Sequence, residues 1–310
     1  SYMNPHRLAY GFAYSMPFAQ LTAIVLLFSM IFSKETKMFP LNILTITWIV
    51  FILLMGFSTF AAYYPDFAWI YYTRVIKIQL IVFISMMLIT DISKLRSLIW
   101  VIVVSIGFFS IKGGVFTLLT GGGARVWGPP ESMIEGNNEI AVATLMVIPL
   151  MAYLYFLHKN WWIKKGLLLA MPLSFIAALG TQSRGALLAL VAVIVFFWLK
   201  SNKKVIIGLC LGIFSSLSLN FMPESWYKRM DTIHTYDEDA SALGRLNAWE
   251  YAFNAANDKL LGMGFDSWSG ETFSIYAPNP DDPHAAHSIY FSVLGDHGWI
   301  GLLLFMMIFW

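Results

Sequence analysis

The chain has 310 residues and a formal net charge of +2; 58% of its residues are hydrophobic and only 12% are charged. Soluble domains carry about 25% charged residues, and a chain of this length could not enclose so much apolar surface, which excludes a soluble globular protein. So small a charge also gives no electrostatic footprint for nucleic acid.

Apolar stretches lie near 10–32, 41–62, 75–90, 97–119, 138–157, 166–180, 185–199, 204–221 and 298–310. A helix needs ~20 apolar residues to cross a bilayer, and an open sheet cannot satisfy its backbone in lipid. The expected fold class is therefore all-α: a polytopic transmembrane helical bundle of about nine spans in this fragment, and more in the intact protein. Ser1 opens the chain and "GLLLFMMIFW" closes it inside an apolar run, so both ends read as cut. The expected organisation is 1–221 as eight transmembrane helices with short loops and 222–287 as one long extracytoplasmic (periplasmic) loop subdomain. Residues 288–310 would be a return segment that begins a further helix. Lone Cys210 permits no disulfide within the chain.

Orientation follows from the connections. One alternate set holds Lys34, Lys37, Lys94, Arg96, Lys159, Lys164, Lys165, Lys200, Lys203 and Lys204, which makes ten. The other set holds Arg74, Lys77, Lys112, Arg125 and Arg184, which makes five. The positive-inside rule puts the richer set in the cytoplasm. The 222–287 segment then lies outside, with eleven of the eighteen acidic residues and three of the six histidines. Within it, 241–257 reads as an amphipathic helix with Leu246, Trp249 and Phe253 on one face and Ser241 as N-cap.

Several residues could carry chemistry, each with a plainer alternative. Lys112 interrupts the fourth span beside Gly113 and Gly114; an ionisable group there is either functional or snorkels to the outer interface, and the glycines permit either close helix approach or a break. Glu139 opens the fifth span and suits a helix N-terminus better than acid catalysis. Arg184, in the tight turn "GTQSRGA", is either a bidentate phosphate contact or a depth anchor. Arg245 is either a second cation for that anion or a surface ion pair with Glu250 or the "DEDA" run. His287 suits a general base or a helix-start hydrogen bond. A metal site of His284 and His287 with Asp281 or Asp282 would need the two imidazoles on one helical face, a weak pattern.

The order "TQSRGALLAL", then "GRLNAWEYAF" and "LLGMGF" in a long outer loop, then "HSIYFSVLGDHGWIGLLLF" resembles the O-antigen ligase superfamily. That superfamily comprises lipopolysaccharide O-antigen ligases, O-antigen polymerases and protein O-oligosaccharyltransferases. "MNPHRLAYGFAYSMPFA" and "GGGARVWGPPESMIEGNNEIA" look like its O-glycosylation ligase branch associated with exosortase systems. Ser288 stands where many ligases have Asn, and Asp296 where Glu is common.

The resemblance implies a multi-pass protein of the bacterial inner (plasma) membrane with its active site facing the periplasm. It implies a glycosyltransferase that moves a glycan from an undecaprenyl-diphosphate carrier to an acceptor hydroxyl, on a lipid A-core sugar or a protein Ser/Thr. No metal or other cofactor is implied, and the partners are that donor, a glycan or protein acceptor and membrane lipid. Its catalytic residues fall on Arg184, Arg245 and His287, with Lys112, Arg125 and His284 as further substrate-binding candidates. A polysaccharide polymerase using the same donor is the nearest alternative. A transporter or flippase of a lipid-linked or anionic substrate is the second, although it would place its polar groups near the midplane. A non-enzymatic envelope scaffold, which would not need these residues, is a third.

Overall fold

Helix starts in this chain follow capping chemistry. Asn42, Asp91, Asn160, Ser183 and Ser269 each adopt extended backbone and accept an N–H from the first turn, the usual role of short polar side chains at an N-cap. The computed structural model describes residues 11–32, 38–231 and 240–309. Among these residues it contains twelve α-helices and no strand. They are α1 (Phe18–Phe32), α2 (Ile43–Phe60), α3 (Pro65–Leu88), α4 (Ile92–Leu119), α5 (Asn137–Leu157) and α6 (Trp161–Gly180). There follow α7 (Arg184–Lys200), α8 (Lys204–Asn220), α9 (Glu224–Asp231), α10 (Ala240–Asp258), α11 (Gly270–Tyr276) and α12 (Ile289–Phe309).

Six of these helices, α2 to α6 and α12, are long and apolar enough to cross a membrane. The other three expected spans hold helices of 15 residues (α1) and 17 residues (α7 and α8). Nine full-length spans are therefore not established. Two boundaries also differ from expectation. α3 begins at Pro65, so Arg74 and Lys77 lie inside a helix and not in a connection; the Arg74 guanidinium sits 5.2 Å over the Tyr71 ring. α12 begins at Ile289, well before the expected 298.

The chain divides into two compact units, Ser1–Ser33 with Asp91–His234 and Lys34–Thr90 with Thr235–Trp310. In the first, α4, α5 and α6 pack around Ile140, Val147, Met151 and Leu154. Lipid is as apolar as a leucine side chain, so helix association there depends on close packing and small residues. A Cβ on Gly114 would collide with the Leu173 carbonyl, and one on Gly180 with the Thr117 side chain. Of the two roles open to Gly113 and Gly114, close approach and a break, the structure shows close approach within a continuous α4. α9 packs on this unit, where the Trp226 indole donates to Leu179 O at 3.1 Å.

In the second unit α12 packs on α2 through Phe51, Val293 and Phe305. α12 is kinked at Gly298 (φ 67, ψ −171), and a side chain there would strike the Leu260 carbonyl. The kink frees carbonyls that a continuous helix would use. Gly295 O and Asp296 O instead accept the N–H groups of Met263 and Gly264, each at 2.9 Å. The "LLGMGF" segment is thereby fixed to the break, and Tyr63 N–H joins it by donating to Met263 O at 2.9 Å.

Candidate active site

The first unit builds its polar cluster where α4 and α6 end and α5 and α7 begin. Three residues, Thr181 to Ser183, connect α6 to α7. Gln182 turns the chain in the left-handed region (φ 53), an uncommon conformation for a residue with a side chain. Its amide is used at both ends: Nε2 donates to Gly122 O at 3.1 Å, and Oε1 accepts Arg125 Nε at 3.3 Å. Ser183 donates to Asn138 Oδ1 at 2.6 Å, and Asn137 donates to Thr181 O at 3.1 Å. Arg184 then opens α7, half-buried. The arrangement joins the "GGGAR" loop, the "NN" start of α5 and the "TQSR" turn, with Arg125 bonded to Gln182 and Arg184 two residues further along the chain. An anion there would gain from the guanidinium groups and from the positive N-terminal end of α7.

Lys112 is not part of this cluster. It is exposed on α4, whereas Gly113, Gly114 and Thr117 of the same helix are buried. Glu139 lies in the first turn of α5 beneath a Gly136 N-cap that provides no side chain, as a helix-terminal carboxylate should.

The second unit carries Arg245, His284 and His287. α10 spans Ala240–Asp258, so Ser241 falls inside the helix and is not its N-cap. Leu246 and Phe253 are 48% and 46% exposed, contrary to the expected core face. The buried face is Gly244, Asn247, Ala248, Tyr251, Ala252 and Ala255. Small residues there admit neighbours closely, and the His284 imidazole lies where a Cβ on Gly244 would be. Two side chains of α10 clamp the segment after α11. Asn247 donates to Asn279 O at 2.8 Å and Asp282 O at 3.0 Å, and it accepts Asn279 N–H at 2.8 Å. Trp249 donates to Ala286 O at 2.8 Å, with its ring stacked on Phe291 at 4.8 Å.

Trp249, one helical turn after Arg245, ties the residue before His287 to α10, and the His284 imidazole lies against Gly244. The i, i+3 reading of the two histidines is overturned, because 282–287 is not helical. His284 Nδ1 pairs with Asp282 Oδ1 at 2.8 Å, and among the described residues no three His, Cys, Asp or Glu side chains could share a metal ion. His287 is exposed and holds a left-handed backbone (φ 47) two residues before α12. Such strain gathers at functional sites. Arg245 forms no ion pair with Glu250 among the described residues, and "DEDA" lies largely outside them. Its Nε is buried without a hydrogen-bond partner, an unmet demand that a bound anion would answer. Asp296, at the variant family position, accepts the Trp268 indole N–H at 2.8 Å and so braces the loop before α11.

Gln182, Asn138 and Asn247 escaped the sequence reading, and Trp249 was read only as part of an apolar helix face. The polar run "TQS" beside an arginine, and a tryptophan one turn after another arginine, were the only signals available.

The first unit thus gathers arginines, and the second an arginine and two imidazoles, on the helices and connections of a multi-pass, all-helical membrane protein. Residues 168–306 match the family model for O-antigen ligase, and residues 1–160 match a family of unknown function (DUF5935). The second match covers more than half of the chain, which therefore belongs to that family of unknown function. The first supports the O-antigen ligase superfamily and, with it, a glycosyl-transferring function of the ligase or polymerase type. No curated protein and no solved structure matches the chain.

Proposed function

We propose that the protein is a membrane glycosyltransferase of the O-antigen ligase type, of the branch associated with exosortase systems. It transfers a glycan from undecaprenyl diphosphate to an acceptor hydroxyl at the extracytoplasmic face of the plasma membrane. The observation that carries this reading is the O-antigen ligase match over 168–306, which takes in Arg184, Arg245 and His287.

The bond between the anomeric carbon and the diphosphate oxygen breaks, and its electron pair leaves with the diphosphate. Arg184 and Arg245 stabilise the charge that develops, with Arg125, bonded to Gln182, as a further donor. Preorganised charge of this kind is usually the largest catalytic contribution. The acceptor oxygen bonds to the anomeric carbon and gives its proton to His287, whose side chain is exposed and whose backbone is held by the Trp249 clamp. The reaction takes no nucleotide sugar and no metal. His284, packed against Gly244 of α10, and Lys112, exposed on α4, are further substrate contacts.

Purified protein given an undecaprenyl-diphosphate glycan and an acceptor should release undecaprenyl diphosphate, and EDTA should leave the rate unchanged. Arg184→Ala or His287→Ala protein that turned over at the wild-type rate would refute the roles assigned.

A further inference from the structure

The α2–α3 turn and α11, both in the second unit, carry aromatic and carboxylate side chains for which the reaction above has no use. Tyr63 donates to Glu271 Oε1 at 3.0 Å and Tyr64 to Glu271 Oε2 at 2.6 Å, so two phenols hold the two oxygens of one carboxylate. The Tyr63 and Tyr64 rings meet edge to face at 4.9 Å, and the Phe67 ring lies 6.4 Å beyond Tyr64. At the far end of α11, Tyr276 donates to Asp258 Oδ2 at 2.6 Å.

Attachment of the turn alone would not require this group. Tyr63 N–H already bonds Met263 O at 2.9 Å, and Gly264 lies in contact with Ala62. Despite those ties, Tyr63, Phe67, Glu271 and Asp258 all remain exposed. An exposed carboxylate oriented by phenols, beside exposed ring faces, is a surface that presents hydrogen-bond acceptors and apolar faces together.

We propose that the Tyr63–Tyr64–Glu271 group is a subsite for a neutral, hydroxyl-rich glycan, holding sugar units away from the bond that is cleaved. The proposal rests on the glycosyl-transfer reading above. A pyranose has C–H faces that pack on aromatic rings and an edge of hydroxyl donors. An ionised carboxylate has about four lone-pair sites; the phenols occupy two and leave two for sugar hydroxyls, in charge-assisted bonds. The phenol bonds also hold the Glu271 carboxyl below the usual carboxylate range, which keeps it ionised at neutral pH. Two carboxylates, Glu271 and Asp258, then repel uronic or phosphorylated sugars.

The test is binding to the purified full chain in nanodiscs, followed by saturation-transfer NMR. Chitohexaose is the neutral probe and hexagalacturonate the anionic one. Saturable binding of chitohexaose is expected, weaker by about tenfold in Tyr63→Ala and in Glu271→Ala, as loss of a charge-assisted hydrogen bond predicts. Hexagalacturonate should not bind. The near-isosteric Tyr63→Phe and Glu271→Gln, checked for unchanged thermal unfolding, should show part of the same loss. Unaltered binding in these variants, preference for the anionic probe, or no saturable binding of either would overturn the proposal. Because binding needs no turnover, failure of donor cleavage would sink the ligase reading separately.

Discussion

The indole N–H of Trp249 donates to the Ala286 carbonyl at 2.8 Å, and this bond fixes the residue before His287 to the turn after Arg245. The carbonyl is on a residue only 1% exposed, so water cannot readily replace the indole. A general base is effective only within hydrogen-bond reach of its proton. The tryptophan is therefore a positioning residue for His287.

Trp249→Phe keeps a benzene ring against Phe291 and removes the N–H together with the rest of the five-membered ring. The stranded carbonyl should cost about 1–3 kcal/mol of stability, and displacement of His287 should lower kcat by about 10- to 100-fold. Release of undecaprenyl diphosphate measures this. KM for the donor should change far less, because the residue acts through His287. An unchanged kcat would show that the clamp does not position the base.

His287 offers a cleaner separation of stability from activity. Its φ of 47 strains a residue that has a Cβ, at a cost of about 1–3 kcal/mol. His287→Gly relieves that strain, so the melting temperature should stay level or rise, although glycine also loses more entropy on folding. Turnover should nevertheless fall by about 10²–10⁴-fold as the base is lost. Differential scanning fluorimetry beside the turnover assay tests both halves. A melting temperature several degrees lower would mean that the imidazole serves the fold.

Much of this was open to reading from the residues, and the exceptions have identifiable causes. Most helices stand where apolar runs stand, and Gly113–Gly114 allowed either a break or the close approach of α4 to α6 that is found. Arg74 and Lys77 disguised the middle of α3 as a connection, although Pro65–Asp66 is a proper helix start. Asp296, His297 and Gly298 disguised the first half of α12. Their polarity is absorbed by partners distant in sequence: Trp268 for Asp296, and Ser58, whose hydroxyl lies 2.6 Å from His297 Nδ1. For α10 the periodicity of Leu246 and Phe253 is real, but hydrophobic pattern does not weigh a core face made of glycine and alanine. The left-handed Gln182 was illegible because glycine or asparagine is the expected residue there. Arg184 and His287 could be singled out by type and location, whereas the clamps that place them are tertiary contacts.

Close packing of α4 on α6 gives a prediction about stability. A Cβ on Gly114 would meet the backbone of Leu173, which cannot rotate away, whereas Gly212 of α8 faces open space. Gly114→Val should destabilise by at least about 1–3 kcal/mol, the usual cost of overpacking. Gly212→Val should be nearly neutral. Thermal unfolding of both variants in one detergent checks the contrast, and equal destabilisation would contradict the packing described.

The pH behaviour of Glu271 tests the glycan subsite from the protein side. Hydrogen bonds from Tyr64 and then Tyr63 lower its pKa from 4.5, the value expected without them. A depressed carboxyl contributes stability that is present above the unfolded pKa and lost as pH falls through the folded one. The window therefore lies below pH 4.5, and the contribution is small because the group is exposed. Tyr64→Phe should move the Glu271 titration toward 4.5, and Tyr63→Phe should do so to a smaller extent, both followed by carboxyl ¹³C NMR. Chitohexaose affinity should fall over the same pH range in which Glu271 takes up its proton, since a protonated carboxyl loses its charge and part of its acceptor capacity. Affinity that stayed level through that titration would separate the carboxylate from glycan binding and leave it a purely structural tie between the α2–α3 turn and α11.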